Sequence, residues 1–253
     1  MQLLRRHHSQ GVTATANAEK ILHSARALLT YATDLQSEIV TEGDSISGEL
    51  KLGSFSTLAS SILPRLVHAF STNFPEIQLK IQEGTQVDLL AGLNSGELEL
   101  ALLYDLDLPN YIEKTKLMEL TPHVVLPKKH RLSTQDEIDI VELANEPFIL
   151  LDVPPSREYF LGLFKEAGLS PKVVHSSPSL ELVRGLVGYG LGFSLLVTRP
   201  VSDLTYDGQQ LVIKPLRSNL NNSLIILARH KDLRPTKLMK RFNDLAQEVV
   251  GVA

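Results

Sequence analysis

The sequence predicts an α/β protein in which two successive strand-and-helix series follow one long N-terminal helix. Strand-like and helix-like patterns alternate from Gly48 onward, which is the signature of an α/β fold. A heptad repeat of apolar residues occupies Thr15 to Thr41, ahead of the first strand. Hydrophobic residues make up 43% of the 253 residues, enough for a real core, and this length suits one two-lobed unit with an appendage.

The alternation predicts individual elements in both series. In the first series, apolar positions predict strands at Glu49–Phe55, Ile77–Ile81 and Leu100–Leu103, and the last is continuous enough for a buried parallel strand. After apolar stretches at Met118–Leu126 and Phe148–Leu151, the second series consists of a helix at 158–167 ended by Gly168, a strand at 173–175, a helix at 179–189 ended by Gly190, and a strand at 193–197. A strand at 224–228 and a helix starting near Pro235 close the chain.

The long N-terminal helix carries an apolar stripe. Its a and d positions are Ala18, Ala25, Ala32 and Ile39, with Ile21, Leu28 and Leu35 three residues further on, and Leu22 and Leu29 widen the stripe. Such a stripe needs a partner, most simply the same helix of a second chain, so a coiled-coil-like dimerising helix is predicted. The alternative is an amphipathic helix that lies on its own domain. The flexible segment Gly43–Gly48 argues weakly against that alternative.

Composition excludes several classes of protein. The 25 basic and 29 acidic residues give a net charge of −4, so the whole chain has no general attraction for phosphate backbones. Cysteine is absent, which removes disulfides, thiolate metal sites and cysteine catalysis. The apolar runs are far shorter than a membrane span, and no apolar stretch follows the basic N-terminus. We therefore expect a cytoplasmic protein without membrane contact.

A series of motifs between Gly43 and Asp105 agrees in spacing with a known family. The strand Glu49–Phe55 is followed by Leu63-Pro64, then Phe74-Pro75, then Glu83-Gly84, then Asn94–Ala101. This order resembles the opening of the effector-binding domain of LysR-type transcriptional regulators. The resemblance implies a two-lobed, periplasmic-binding-protein-like (type II) effector domain preceded by a long linker helix, with a small molecule bound between the lobes.

The resemblance also implies a division of the chain. Residues 1–14 would be the remnant of a DNA-binding wing, a short hairpin; residues 15–47 the linker or dimerisation helix and hinge, capped by Thr15; and residues 48–253 the effector-binding domain. Lobe I would comprise about 48–122 and 224–253, and lobe II about 123–223. The chain resembles a regulator that lacks most of the winged helix-turn-helix, so promoter DNA would be a partner only through that missing reader. Family habit implies a homodimer or homotetramer.

Polar residues at strand ends and helix starts are the candidate effector contacts, because a helix N-terminus presents free amides and partial positive charge there. Any single hydroxyl in such a place has an equally good alternative role as a helix N-cap. The resemblance implies eight effector-contacting residues: Ser54, Ser56, Thr57, Thr85, Gln86, Tyr104, Asp152 and Ser177. Asp152 would either bind a cationic part of the effector or pair with Arg157 or Arg184, and the internal pair is favoured because lone buried charges are costly.

The motifs of enzymes are missing from the sequence. The histidines form no His-Glu-x-x-His pattern, and neither a Gly-x-Ser-x-Gly elbow nor a phosphate loop occurs. The glycines of Gly188–Phe193 follow a helix and precede a strand, which is the reverse of a dinucleotide-binding loop. The sequence therefore predicts no catalytic residue, no metal and no cofactor.

Three functions are compatible with these observations. The first is the effector-sensing and oligomerisation portion of a LysR-type regulator, with a carboxylate or amino-acid-like ligand as its small-molecule effector. The alternative is a solute-binding protein of the same fold, which would have no use for the helix at 15–41 and would normally need an export signal. The third, an enzyme built on a similar two-lobed fold, has no motif in its favour.

Overall fold

A computed structural model of the chain describes residues 2–7, 11–40, 47–217 and 222–251; in the first helix the side chains at 16, 19, 23, 34 and 36–40 are outside the description. The strands are β1 (Leu4–His7), β2 (Gly11–Ala14), β3 (Gly48–Phe55), β4 (Ile77–Gly84), β5 (Leu100–Tyr104), β6 (Ile112–Leu120), β7 (His123–Pro127), β8 (Ile138–Asp139), β9 (Pro147–Leu151), β10 (Lys172–Ser177), β11 (Ser194–Leu196), β12 (Leu211–Arg217) and β13 (Ser223–His230). The helices are α1 (Ala16–Val40), α2 (Ser56–Ser61), α3 (Leu63–Asn73), α4 (Gln86–Ser95), α5 (Ile140–Leu143), α6 (Ser156–Glu166), α7 (Leu180–Gly188) and α8 (Lys237–Val250). A 3-10 helix at Arg131–Thr134 completes the elements of these segments.

The chain divides into two compact units. Unit 1 consists of Met1–Met118 and Ile225–Ala253, and unit 2 of Glu119–Leu224. Unit 1 is therefore discontinuous in sequence, and the contiguous unit 2 is inserted into it. Strands and helices alternate in both units, which confirms the predicted α/β class.

Unit 1 is built on a sheet with the strand order β4-β3-β5-β13-β6. Strand β3 runs parallel to both β4 and β5, and β13 runs antiparallel to β5. Parallel neighbours need crossover connections, which α2 with α3 and then α4 provide. The three parallel strands consequently end at one edge of the sheet. Behind this sheet α8 packs on α3, with the rings of Phe70 and Phe242 5.1 Å apart.

Local sequence signals explain where the helices of unit 1 begin and end. Proline at the second residue of α3 suits a first turn, where its missing N–H has no helical partner anyway. Thr85 caps α4 in a reciprocal capping box with Asp88. Gly96 ends α4 in the left-handed conformation at φ 74°.

Unit 2 holds a sheet in the order β11-β7-β12-β8 and the parallel pair β10-β9. A parallel bridge between Phe148 and Phe193 joins the two, and the rings of these phenylalanines stack 5.0 Å apart in the core. Gly192 makes this junction possible, because a Cβ at that position would lie 2.3 Å from the carbonyl oxygen of Pro147. The glycine turn that the sequence indicated between a helix and a strand is thus a close approach of two backbones.

The N-terminal segment forms the short hairpin that the sequence predicted. Strands β1 and β2 pair antiparallel, with Leu4 opposite Ala14 and His7 opposite Gly11, while residues 8–10 lie outside the described part. The Thr15 hydroxyl then accepts a hydrogen bond from the Ala18 amide at 3.3 Å. The predicted N-cap of α1 is confirmed.

Helix α1 packs on its own domain along one face and leaves much of its apolar stripe exposed, so both interpretations of the stripe apply. Ala18 is buried, and the Arg26 and Tyr31 side chains bind other parts of unit 1, so one face lies on its own domain as the alternative proposed. The d positions Ile21, Leu28 and Leu35 remain 45%, 67% and 57% exposed, which leaves the predicted dimerising stripe open. The a-position side chain at 39 and the proposed hinge residues 43–46 lie outside the described residues.

Candidate functional site

The carboxyl ends of β3, β4 and β5 bring six of the predicted residues to one edge of unit 1. In the sheet Phe55 pairs with Gly84, and Ser54 pairs with Leu102, two residues before the end of β5. The first turns of α2 and α4 start at this edge. We call this surface the unit 1 edge; it comprises Ser54, Ser56, Thr57, Thr85, Gln86 and Tyr104.

A buried pair of hydroxyl groups lies at the unit 1 edge. Thr57 Oγ1 and Tyr104 Oη are 2.9 Å apart, with 4% and 2% of the two residues exposed. The Phe55 ring contacts the Tyr104 ring edge-on, with 5.5 Å between centroids. The pair joins the last residue of β5 to the first turn of α2. Because hydroxyl groups donate and accept, it can reorient its protons towards a ligand oxygen or a ligand N–H.

Gln86 contributes an unsatisfied acceptor. Its Nε2 donates to the Leu106 carbonyl at 2.8 Å, which fixes the orientation of the amide. Among the described residues, no group donates to its buried Oε1. Such an orphaned acceptor costs about 1–3 kcal/mol, a cost that a hydrogen-bond donor from a ligand would remove.

Two of the remaining hydroxyl groups of the unit 1 edge, those of Thr85 and Ser54, have local partners. Thr85 Oγ1 accepts from the Asp88 amide at 3.3 Å. The Thr85 hydroxyl and the Thr85 amide donate to Asp88 Oδ2 at 2.7 Å and 3.2 Å, and these two bonds lower the pKa of the Asp88 carboxyl. Ser54 is fully buried in β3 and donates to the Phe55 carbonyl at 3.3 Å. Ser56 is half-buried as the first residue of α2. The N-cap alternative therefore accounts for Thr85.

In unit 2, Asp152 and Ser177 meet at the carboxyl ends of two parallel strands. Leu151 pairs with Ser177, and the Asp152 amide donates to the Ser177 carbonyl at 2.8 Å. The Ser177 hydroxyl accepts from the Ser179 amide at 3.1 Å, and Ser179 in turn caps α7. We call Asp152, Arg157 and Ser177 the unit 2 edge.

The Asp152 carboxylate is paired internally, as the sequence favoured. Arg157 Nη1 lies 2.8 Å from Asp152 Oδ1. The hydrogen bond from Arg157, followed by one from Ser176, lowers the pKa of Asp152. The other candidate partner, Arg184, is buried and donates to the carbonyls of Ser202 and Leu204 instead. The unit 2 edge therefore presents an ion pair, with a guanidinium and a carboxylate side by side.

One feature of unit 1 was not predicted from the sequence. A cavity of about 200 Å³ lies under α1, and its walls include Arg26, Leu29, Thr33, Lys51, Glu99 and Leu238. We call it the α1 cavity. Its lining residues come from distant parts of the chain, so no local motif could have indicated it.

The structure also bears on metal and membrane sites. Over the segments that the structure describes, no group of three or more His, Cys, Asp or Glu side chains could hold a metal ion. Within those same segments, no helix has both the length and the apolarity needed to cross a membrane.

Comparison with known proteins identifies the same family that the motifs indicate. A family model described as the LysR substrate binding domain matches residues 43–251. The crystal structure of the PA01 protein, a putative LysR family transcriptional regulator from Pseudomonas aeruginosa, is 41% identical, with a TM-score of 0.79 over 93% of this chain and 81% of that chain. The effector binding domain of QuiR in complex with shikimate has a TM-score of 0.71 over 81% of this chain and 98% of that chain, at 22% identity, and shows the fold alone.

A curated relative shows how much of a longer protein this chain matches. The uncharacterized HTH-type transcriptional regulator YybE of Bacillus subtilis is 29% identical over 176 residues, which are 69% of this chain and 60% of that protein. The chain thus spans less than two thirds of that relative. Both YybE and the PA01 protein are described as transcriptional regulators.

Proposed function

Because the chain belongs to the LysR substrate-binding domain family, we propose that it is the effector-sensing and oligomerisation portion of a LysR-type transcriptional regulator. It binds a small carboxylate or amino-acid-like molecule, works in the cytoplasm as a homodimer or homotetramer, and acts on promoter DNA through a helix-turn-helix reader. The eight predicted residues, Ser54, Ser56, Thr57, Thr85, Gln86, Tyr104, Asp152 and Ser177, are the proposed effector contacts.

The observation that carries this proposal is the chemistry of the unit 1 edge. A buried Thr57–Tyr104 hydroxyl pair lies where α2 begins, and an orphaned Gln86 acceptor lies where α4 begins, both at the unit 1 edge. Amides in the first turn of a helix favour a carboxylate. The Gln86 acceptor favours a ligand that also carries a hydroxyl or ammonium donor.

The unit 2 edge supports the same ligand class. Arg157 is 42% exposed at its side chain and uses one terminal nitrogen on Asp152. A guanidinium has five N–H donors in a fixed fork, so Arg157 keeps donors for a ligand carboxylate, while the Asp152 carboxylate suits an ammonium. The sequence-based expectation that one ligand contacts both lobes stays a prediction, and variants in both edges test it.

The direct test is isothermal titration of the purified chain with shikimate, then with a panel of amino acids and aromatic carboxylates. Shikimate comes first because the QuiR structure contains it and because it combines a carboxylate with hydroxyl donors. For the ligand that binds, we expect Thr57→Val, Tyr104→Phe and Arg157→Gln each to weaken the affinity about tenfold, the loss from one hydrogen bond to a charged group.

Thr72→Val is the matched control, since the Thr72 hydroxyl only returns to its own helix at the His68 carbonyl. Equal affinity in all three edge variants and the control would refute the proposed site. If Thr57→Val and Tyr104→Phe weaken binding but Arg157→Gln does not, the ligand contacts unit 1 alone.

The solute-binding alternative gains no specific support from the structure. It gives no role to α1, whose leucines are exposed and whose polar face is tied to unit 1. The regulator proposal gives α1 two roles, pairing with a second copy and reporting on the effector domain.

A further inference from the structure

The arrangement of α4 points to a link between the unit 1 edge and the long N-terminal helix. We propose that Arg26 holds α1 on the C-terminal end of α4, an arrangement that we call the latch. A displacement at the N-terminal end of α4 then changes how firmly α1 is held on unit 1. This inference rests on the proposed function only in treating the start of α4 as part of the effector site.

The latch consists of two contacts from one guanidinium group. Arg26 Nη1 donates to the Ser95 carbonyl at 2.8 Å, and Arg26 Nη2 donates to Glu97 Oε1 at 3.0 Å. Ser95 is the last residue of α4. The last carbonyls of a helix lack helical donors and carry partial negative charge, so a guanidinium at that point satisfies an acceptor and complements the helix dipole.

Helix α4 is suited to connect its two ends. Its ten residues span about 15 Å, from the Thr85 capping box at the unit 1 edge to Gly96 beside Arg26. Leu89 and Leu93 are buried along it, and a Cβ at Gly92 would lie 2.8 Å from Leu98 Cδ1. Close-packed helices shift as rigid bodies rather than deforming, so a displacement at the start of α4 reaches its end.

Other side chains of α1 that the structure describes also contact unit 1. The Tyr31 hydroxyl accepts a hydrogen bond from the Arg234 amide, and Ala18 is buried. Between these two points lies the α1 cavity instead of a packed apolar interface. Leu28 and Leu29 are 67% and 69% exposed. Polar contacts therefore hold the middle of α1, and they release more easily than a close-packed core.

The first experiment tests the latch without any ligand. Hydrogen exchange is followed by mass spectrometry in peptides covering 20–33 for the wild type, Arg26→Gln and Lys20→Gln. Lys20 is an exposed cation on the same helix, so its variant removes the same charge. We expect Arg26→Gln to speed exchange in α1 by about two- to threefold, as for loss of a partly exposed ion pair, and Lys20→Gln to leave the rate unchanged.

The second experiment tests transmission along α4. Thr85→Ala removes the N-cap of α4, and Ser179→Ala removes the equivalent cap of α7, which lies in unit 2. We expect Thr85→Ala to raise exchange in α1, although the Thr85 side chain bonds to Asp88 at the opposite end of α4 from Arg26. Adding Arg26→Gln to Thr85→Ala should produce no further rise, because the latch is already released.

Equal hydrogen-exchange rates in Arg26→Gln and Lys20→Gln would overturn the latch. A change of oligomer mass in Arg26→Gln alone would also overturn it. A rise in α1 exchange with Ser179→Ala as large as with Thr85→Ala would overturn transmission through α4. Both readouts are taken on the ligand-free chain. A failure here is therefore separate from a failure of the titrations with shikimate, which test the proposed function.

Discussion

His123, the first residue of β7, is held in its neutral form by its surroundings. It pairs across the sheet with Leu196 on one side and Pro215 on the other. Burial, followed by the positive charges of Arg199 and Arg184, lowers the pKa of the ring to about 4 from 6.5. An imidazole whose pKa is lower in the folded chain than in the unfolded chain makes stability depend on pH.

The direction of this dependence follows from the two pKa values. Between about pH 6.5 and pH 4 the unfolded chain binds a proton at His123 that the folded chain does not. Stability is therefore full above pH 6.5 and falls as the pH drops to 4, by about 2 kcal/mol for a ring that keeps some exposure. Urea denaturation at pH 7.5 and pH 4.5 measures the difference.

His123→Gln should reduce that difference, whereas His175→Gln, which alters an exposed ring on β10, should not. Part of the dependence will persist in His123→Gln, because burial also lowers the pKa of His130. The same loss of stability on acidification in both variants would show that His123 is not responsible.

At the scale of single residues, the sequence could identify candidate effector contacts but could not tell which hydrogen-bond partner each of them has. Thr57 and Thr85 look alike as hydroxyl groups near helix starts, yet Thr57 bonds to Tyr104 and Thr85 bonds to Asp88. A capping box is visible locally, so the fate of Thr85 was within reach of the sequence. The partner of Thr57 is 47 residues away and depends on strand register, which no short pattern specifies.

Among the elements, Gly192 controls the junction of β9 and β11. We expect Gly192→Ala to destabilise unit 2 by about 2–4 kcal/mol, since its methyl group would collide with backbone and a strand would have to shift. Gly162→Ala is the control, because the added methyl group on α6 meets no atom within 4 Å and should stabilise by about 0.5–1 kcal/mol. Thermal unfolding of both variants, monitored by circular dichroism, measures the effects, and equal melting temperatures would contradict the close approach.

Strands and helices with strong periodicity were predictable, and those with ambiguous patterns were not. The predicted strand at Glu49–Phe55 and the helices at 158–167 and 179–189 are confirmed with small shifts at their ends. The apolar stretch Met118–Leu126 proves to be the end of β6 and most of β7, separated at Thr121-Pro122. Strand β12 went unpredicted because Lys214 and Pro215 interrupt its apolar run.

For the whole molecule, the exposed stripe of α1 predicts self-association. Leu28 and Leu35 are 67% and 57% exposed, and contiguous exposed leucines on a helix favour pairing with a second copy. We expect Leu28→Glu combined with Leu35→Glu to lower the mass measured by light scattering by at least one step of assembly. Val141→Glu, which alters a 61% exposed apolar residue of unit 2, should leave the mass unchanged. An unaltered mass in the double variant would exclude this stripe as an interface.

The interior position of β13 in the unit 1 sheet also bears on how the chain folds during synthesis. The ribosome delivers residues in order, and β13 lies between β5 and β6, although it is made more than a hundred residues after them. Unit 2 is contiguous and can fold as soon as it emerges, whereas β5 and β6 cannot be joined in one sheet until β13 has been synthesised. A ribosome that stalls before Ser223 would leave a nascent chain in which unit 2 is folded and the unit 1 sheet lacks β13. Such a chain exposes unpaired strand edges, so it is the form most in need of a chaperone.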